Sequence, residues 1–370
     1  MDSTIIRKRF RTLREERAWS QEDLAAQMGF NDRQTVSAIE NGDRKITAEE
    51  LVKAASAFKV KLDFFVDPFR LYGEAAFSWR QKDVSDAALK GFEEQAGQAI
   101  GLYRWLLAEK GSPPKVLSQK LYLDVQSSLD DAAMTGAALA SNLKDGQVAP
   151  ALSLKRYVED HLGMLVLNVD TIAGISGAAC RLPQVNTILI NRREIEGRRH
   201  FDMAHELFHL LTWDTMPPRY IDCEEPKGPQ DKRIEKLADS FAASILMPTW
   251  ALIPFINTRS DAEIHGWLNM IANELHVSAQ AVKFRLRNLS AITKTEFDSV
   301  NDERLRFHGA AAAPTGNLPP LFSYQFMTLL GWGIEDGRLS VRRVATLLGM
   351  AINQLAHAFV EHALEPPFEI

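Results

Sequence analysis

Apolar residues recur at helical spacing through residues 1–68, in short runs separated by capping residues. Ser20 precedes one such run and Gly29 ends it, and Thr47 precedes another. A small polar side chain before an apolar run and a glycine after it are typical of helix ends. The pattern therefore predicts a bundle of five short helices, which stops where Asp67-Pro68 interrupts the periodicity.

The pattern changes twice along the rest of the chain. Residues 69–147 continue at helical spacing and predict a helical connector. Within residues 148–292, helices alternate with short apolar runs that predict a small sheet, namely 164–169, 178–182 and 187–190. Residues 293–370 predict a linker, including the run 310–316, and then a helical C-terminal domain. The expected fold class is α+β and predominantly helical.

Composition narrows the class of protein. The hydrophobic share of 46% and the charged share of 25% are those of a globular chain. A net charge of −5 argues against a protein that coats nucleic acid, but it allows one local DNA-reading module. Without a run of about 18 apolar residues we expect no membrane partner. Without an apolar signal segment or a cysteine framework we expect a cytoplasmic location.

A His-Glu-x-x-His motif runs from His205 to His209. On a helix the two imidazoles lie one turn apart on one face, so both can bind the same ion. Glu206 is then placed as a general base acting on a water molecule, which is the arrangement of metallopeptidases. This ligand set favours Zn²⁺, with Mn²⁺ as the alternative.

A third ligand is expected among the acids that follow the motif. Glu235 is favoured because it lies beside the packed stripe of a helix that can face the first one. Asp239, one turn further, is placed to accept a hydrogen bond from Nδ1 of a ligating histidine. The alternative is a pair of solvated acids on a surface helix. The other candidate acids are Asp214, Asp222, Glu224, Glu225 and Asp231.

Four further residues are candidates for roles at this centre. Cys180 precedes the motif on a predicted strand, and its thiolate could occupy a fourth metal position and hold the enzyme inactive. The alternative for Cys180 is a small buried apolar residue. One of His200, His265 and Tyr220 could donate a hydrogen bond to the oxyanion, and the sequence does not choose among them.

This block resembles the ImmA/IrrE metallopeptidases over about residues 148–290. The matching motifs are Arg199-x-Phe201, the His205–His209 motif, the Glu235–Ala243 helix, Leu246-Met247-Pro248 and Val277-Ser278. The resemblance implies a gluzincin-like domain with His205, His209 and Glu235 on zinc. It also implies a role in cutting a transcriptional repressor during stress or mobile-element induction.

Two residues depart from the family pattern. Phe208 stands where the family usually has glycine, which would either narrow the cleft or reflect different packing. Asp202 stands where the family often has threonine.

The first domain resembles the Xre-type helix-turn-helix of phage-repressor-like proteins. In this geometry the second helix of the motif enters the major groove, which nominates Arg33, Gln34 and Ser37 for base contacts. Gln21, at the start of the preceding helix, is expected to contact phosphate. Further positive charge comes from Arg7, Lys8, Arg9, Arg11, Arg14 and Arg17. Basic and acidic residues nearly balance in this domain, so we expect binding as a homodimer.

These features predict a transcriptional regulator that binds double-stranded operator DNA and carries a zinc-dependent endopeptidase. Its protein substrate would be a repressor, either this chain, cut between about residues 67 and 84, or a partner. Single-stranded DNA is a candidate activator. The alternatives are a transcription factor with a non-catalytic peptidase-fold sensor and an antitoxin-like DNA binder. An intact Glu206 favours the enzyme, because a sensor does not need the base.

Overall fold

The computed structural model describes residues 3–112, 119–144, 149–182, 184–223, 228–259, 263–305 and 318–369. It confirms the predicted α+β class, with many helices around a five-stranded sheet. The predicted linker at 310–316 lies outside these residues. The helices are α1 (Ser3–Glu16), α2 (Gln21–Met28), α3 (Arg33–Asn41), α4 (Ala48–Ala57), α5 (Asp63–Val66), α6 (Asp86–Glu109), α7 (Leu129–Ala140), α8 (Pro150–Arg156), α9 (Glu196–Thr212), α10 (Pro229–Leu246), α11 (Thr249–Asn257), α12 (Ile264–Leu275), α13 (Ala279–Asn288), α14 (Lys294–Ser299), α15 (Tyr324–Glu335), α16 (Val341–Leu347) and α17 (Ile352–Glu361).

Helices α1–α5 form the predicted N-terminal bundle around a core that includes Phe10, Val36 and Phe58. The predicted caps are present: the Ser20 side chain accepts from the Asp23 amide at the start of α2, and Gly29 ends that helix in the left-handed conformation. These contacts satisfy backbone groups that a helix end leaves without partners. The turn between α2 and α3 is thereby fixed.

The bundle is tied to the rest of the chain through a fully buried arginine. Arg9 of α1 donates to the carbonyl oxygens of Phe64 and Asp67, at 2.8 and 2.9 Å, and pairs with Glu74 at 3.0 Å. Arg104 of α6 also pairs with Glu74. A buried charge is tolerated only when it is paired in this way. The segment that follows the bundle is therefore held at several points.

The sheet contains two strands that the sequence did not predict, one of six residues and one of three. Its order is β2 (Leu165–Val169), β4 (Thr187–Asn191), β3 (Ile175–Arg181), β1 (Ala76–Gln81) and β5 (Ile221–Cys223). β1 comes from the segment expected to be a helical connector, and it runs antiparallel to β3 and parallel to β5. Its pairing partners β3 and β5 both lie far away in the sequence, so a local pattern of six residues does not reveal it.

The two faces of the sheet are covered by different helices. On one face, Ala179, Ile188 and Ile190 pack in the core that contains α9. On the other face, Trp79 and Ala178 pack with α6 and with the C-terminal helices α15–α17. Successive residues of a strand point to opposite faces, so neighbours along β3 belong to different cores.

The core around α9 also includes helix α7. Gly136 of α7 lies so close to α10 that a Cβ atom there would come within 2.5 Å of the Phe241 carbonyl oxygen. Ser240 of α10 donates to the Leu129 carbonyl oxygen at 2.8 Å. Part of the segment predicted as connector therefore packs with the residues predicted as the peptidase domain, whose start at residue 148 stays a prediction.

Within the described residues, no single helix is long and apolar enough to cross a membrane. Helices α10 and α11 meet that criterion only as a pair, bent by 62°.

Candidate metal centre

Helix α9 carries the His-Glu-x-x-His motif through the interior of the protein. His205, Glu206 and His209 are each only 1% exposed. From Asp202 to Thr212 the helix is buried all round, and it packs against β3, β4 and α10. Near its start, a Cβ atom at Gly197 would come within 2.5 Å of the backbone at Val277 and Ser278. The motif is thus held in a rigid, largely dry setting.

Helix α10 brings two acids to the same place. Glu235 Oε2 lies 3.0 Å from His205 Nε2, and Glu235 Oε1 lies 3.6 Å from His209 Nε2. Asp239 Oδ1 lies 3.0 Å from His205 Nδ1. The spacing i, i+4 places both carboxylates on the face that meets α9, as the sequence predicted. The alternative of two solvated acids does not describe Glu235, whose side chain is 20% exposed and in contact with both imidazoles.

The ligand atoms have the spacing that a metal ion requires. His205, His209 and Glu235 each offer one atom, and these atoms lie within 4.8 Å of one another. The two Nε2 atoms are 3.1 Å apart. Two atoms bound to one tetrahedral Zn²⁺ at about 2.0–2.1 Å are separated by about 3.3 Å, so the residues fit such an ion closely. This geometry supports a metal site but does not identify the metal.

The electrostatics of the group also favour a cation. Burial and the charge of Arg80 oppose protonation of His205, but hydrogen bonds with Asp239 and Glu235 raise its pKa to about 10. Burial lowers the pKa of His209. Burial opposes ionisation of Glu235, but hydrogen bonds from both imidazoles hold the pKa of its carboxyl far below its usual range. A divalent ion can therefore replace a proton held between these side chains.

Replacing Asp239 with asparagine should weaken metal binding about 10–100-fold, because the carboxylate that orients the His205 ring is lost. The check is a competition titration with a zinc chelator. Asp231→Asn on the same helix is the matched control, because Asp231 pairs with Arg219 rather than with a histidine. Equal affinities for Asp239→Asn and wild type would show that the 3.0 Å contact does not support the site.

The structure explains both departures from the family pattern. Phe208 is fully buried and packs against Phe241, with ring centroids 5.5 Å apart, so it reflects different packing rather than a narrowed cleft. Asp202 is 1% exposed and pairs with Arg80 of β1 at 3.2 Å. Arg80 was not among the residues that the sequence suggested. The signal for it was Asp202 itself, because a carboxylate on a buried helix requires a cation or hydrogen-bond donors nearby.

The hypothesis that Cys180 is a fourth metal ligand is wrong. Cys180 is fully buried in β3 and points into the core formed with α6, whereas its neighbour Ala179 points towards α9. Burial raises the pKa of its thiol, so a thiolate is disfavoured. The residue is the small apolar core residue of the alternative interpretation.

The three suggested oxyanion donors are engaged elsewhere. His200 Nδ1 contacts the carbonyl oxygen of His276 at 2.8 Å. His265 Nε2 accepts from the Asn301 amide at 2.9 Å. Tyr220 interacts with Glu93 of α6. Burial is the larger cause of the raised pKa of its phenol, and the contact with Glu93 raises this pKa further. None of the three is directed at the metal ligands.

In the N-terminal domain, Arg33 and Gln34 are exposed at the start of α3, and Ser37 is partly exposed one turn on. The Asp32 side chain caps this helix. Gln21 donates to Glu40 at 2.9 Å, which ties α2 to the end of α3. The first turn of α3 is therefore accessible to the major groove of a DNA duplex. The individual DNA contacts remain predictions.

Three of the basic residues expected to add charge near DNA have internal roles. Arg9 is buried against Glu74. Arg14 forms a bidentate ion pair with Glu40, with N–O distances of 2.6 and 3.0 Å. Arg17 donates to the Phe58 carbonyl oxygen at 2.6 Å. These arginines hold the bundle together, so the expectation that Arg9 adds positive charge near DNA is wrong, because its side chain is buried and paired. Arg11 stays exposed, with its side chain 58% accessible.

Replacing Arg33 or Gln34 with alanine should cost about 1–3 kcal/mol of operator binding each and relax sequence preference, because both are placed to contact base edges. Arg11→Ala should instead weaken binding to all DNA sequences alike and reduce the salt dependence of that binding. Fluorescence anisotropy with operator and scrambled duplexes at several salt concentrations separates the two effects. Equal losses on both duplexes for Arg33→Ala would count against base readout.

The fold and the site together define a helix-turn-helix protein that carries a metallopeptidase-type domain. Residues 10–65 match the helix-turn-helix family, and residues 160–287 match the peptidase M78 family, described as the IrrE N-terminal-like domain. The chain therefore combines an Xre-type DNA-binding domain with an IrrE-like metallopeptidase domain. The comparison with curated proteins gave no match.

Proposed function

We propose that this protein is a DNA-binding transcriptional regulator whose metal-dependent endopeptidase domain cleaves a repressor protein. The observation that carries this proposal is the convergence of His205, His209 and Glu235 beside Glu206 in a chain that also has a helix-turn-helix domain. His205, His209 and Glu235 would hold the ion, with Zn²⁺ first and Mn²⁺ second on ligand chemistry.

Each side chain has a defined task in the proposed hydrolysis. A divalent ion bound here supplies the Lewis acid that polarises the peptide carbonyl and acidifies water. Asp239 orients the ring of His205. Glu206 takes a proton from the attacking water and gives it to the leaving amine. The burial of Glu206 excludes other water and strengthens these interactions.

The surroundings of the connector favour a partner as the substrate over self-cleavage between residues 67 and 84. Phe77, Ser78 and Trp79 are buried in β1, which is hydrogen-bonded on both sides within the sheet. Upstream, Arg9 binds the carbonyl oxygens of Asp67 and Arg70. Cleavage within residues 76–81 would require the sheet beneath α9 to be dismantled, which would disrupt the enzyme itself.

The remaining parts of the proposal concern regulation. A homodimer on operator DNA is proposed because the near-neutral charge of the first domain limits the affinity of a single copy. The proposed location is the cytoplasm, and the proposed trigger is stress such as DNA damage or mobile-element induction. Single-stranded DNA is the proposed activator. The Xre-type domain supports DNA as a partner.

Incubation with a proteome-derived peptide library tests the peptidase. Wild type and Glu206→Gln are loaded with Zn²⁺ or Mn²⁺, with and without single-stranded DNA, and the products are analysed by mass spectrometry. New peptide termini only with wild type, beside an intact 41.5 kDa chain, are expected. No new termini under any condition would favour the non-catalytic sensor. Fragments of the chain itself ending between residues 67 and 84 would restore self-cleavage.

A further inference from the structure

The C-terminal helices α16 and α17 repeat the turn that joins α2 and α3. The Ser340 side chain caps α16, as Ser20 caps α2. Gly349 follows α16 in the left-handed conformation with a φ of 64°, and Gly29 follows α2 in the same way with a φ of 69°. The interval from the capping serine to the glycine is equal in both pairs. Helices α16 and α17 therefore form a second helix-turn-helix unit, outside the residues 10–65 that match that family.

The first turn of α17 differs from that of α3 in what lies opposite it. The start of α3 is exposed, whereas the corresponding face of α17 lines a cavity of about 560 Å³. The other walls come from α6, from strands β2 and β4 and from the turn after α16. Ligand sites usually measure about 300–1,000 Å³, so this space suits a small molecule. A duplex is far larger, so the first turn of α17 is not placed to read base pairs.

The cavity has an apolar floor on the side of the sheet away from α9. Leu167 of β2 and Leu189 of β4 line it, and both belong to the core formed with α6. Phe92 and Ala99 of α6 add an aromatic ring and a small side chain. Burial of apolar surface on such a floor favours a flat ligand with an apolar body. Ile188, the residue before Leu189, packs in the core of α9, so the cavity and the metal centre lie on opposite faces of the sheet.

Three carboxamide side chains on the lining have hydrogen-bonding atoms to spare. Gln95 of α6 donates to the Leu348 carbonyl oxygen at 3.2 Å, which leaves its Oε1 as an acceptor. Asn353 and Gln354 of α17 accept from backbone amides at 2.9 and 2.8 Å, which leaves their NH₂ groups as donors. Among the described residues these three groups have no protein partner. The lining therefore offers two donors and one acceptor to a ligand.

The charged groups on the lining already pair with one another. Arg192 binds Asp170 through two contacts of 3.0 Å and Glu361 through one of 3.3 Å. It also donates to the Pro319 carbonyl oxygen at 3.3 Å. One arginine thus meets two carboxylates, and the described lining has no unpaired lysine or arginine to hold an anion. The same carboxylates would repel a phosphate group, so the electrostatics favour an uncharged ligand.

We propose that this cavity binds an uncharged nucleobase or nucleoside. A nucleobase is flat, and its edges carry adjacent hydrogen-bond donors and acceptors. Asparagine and glutamine side chains bind adenine through such pairs, and Asn353 and Gln354 lie on the lining. The sugar of a nucleoside adds hydroxyl groups but no charge. The cavity is separate from the metal centre, so this inference does not depend on the proposed peptidase function.

Calorimetric titration of the full chain with adenosine and with free adenine tests the site, followed by guanosine, cytidine and uridine. We expect adenosine to bind once per chain. Asn353→Ala and Gln354→Ala should each weaken this binding about 2–10-fold, the effect of losing one hydrogen bond. Asn353→Trp should abolish binding, because a larger side chain at this exposed position on the lining fills the cavity. Val360→Trp is the matched control, because Val360 is exposed on the same helix but is not part of the lining.

The outcomes decide both the class of ligand and the place of the site. Adenosine 5′-monophosphate should bind at least about 5-fold more weakly than adenosine, because the carboxylates on the lining repel its phosphate. Equal affinities would overturn the assignment of an uncharged ligand. Glu235→Ala should bind adenosine normally even though it holds no metal. Failure of wild type to bind any of these compounds would overturn the inference, and so would unchanged binding in Asn353→Trp with a wild-type unfolding temperature. Either result would leave the proposed peptidase function intact.

Discussion

Replacement of Glu206 by glutamine should lower the rate of peptide hydrolysis about 10²–10⁴-fold, the usual contribution of a positioned general base. Glutamine has nearly the same size but cannot accept a proton at neutral pH. Metal content should stay at the wild-type level, because Glu206 is not among the three residues whose ligand atoms converge. The measurement is the initial rate of cleavage of a peptide found in the library experiment, with metal content determined on the same sample.

Glu196→Gln is the matched control, because Glu196 lies at the start of the same helix and contacts His276 instead of the metal ligands. It should retain the wild-type rate. A Glu206→Gln protein that cleaves as fast as wild type would exclude Glu206 as the base, and the source of the activity would have to be sought elsewhere in the preparation.

Removal of the Glu235 side chain should abolish stable metal binding. Loss of a residue that only supports a ligand costs about 10–100-fold in metal affinity, and loss of a ligand should cost more. The same change leaves the two imidazoles, whose Nε2 atoms are 3.1 Å apart, without the carboxylate between them. We therefore expect wild type to bind one divalent ion per chain and Glu235→Ala to lose it during dialysis.

Elemental analysis after dialysis measures this loss. Asp231→Ala is the matched control, because Asp231 is an acid one turn earlier on α10 and was itself a candidate ligand. It should keep the ion. Glu224 and Glu225, two other candidates, lie outside the described residues. If Glu235→Ala keeps its metal and one of those acids is needed instead, the assignment of the third ligand is wrong.

Local patterns were sufficient to predict the side chains that lie on the two central helices. His205 and His209 are separated by one helical turn, and so are Glu235 and Asp239, so a helix by itself fixes which of them share a face. The described contacts between the two pairs then follow from packing α10 on α9. The capped helices of the N-terminal bundle were predictable for the same reason, since their end signals are local.

Features that depend on distant pairing were not predictable. β1 forms because residues 76–81 meet β3 and β5, and neither partner is near them in the sequence. Arg80 was missed with it. The hypothesis that Cys180 binds the metal was wrong for a related reason. Its strand was predicted, but the sequence does not show which face of that strand α9 covers. Arg9 was counted among the charges near DNA because it lies in a basic cluster, and such a cluster does not reveal which of its side chains is buried.

The position of β1 has a consequence for how this protein can be divided. A chain shortened to residues 160–287 would lack both β1 and α7. The backbone groups of β3 that pair with β1 would become an open edge, and the surface of α10 beneath α7 would meet water. Open edges of this kind recruit strands from other molecules, so such a fragment should aggregate. The segment that matches the family is thus smaller than the unit that completes this core and sheet.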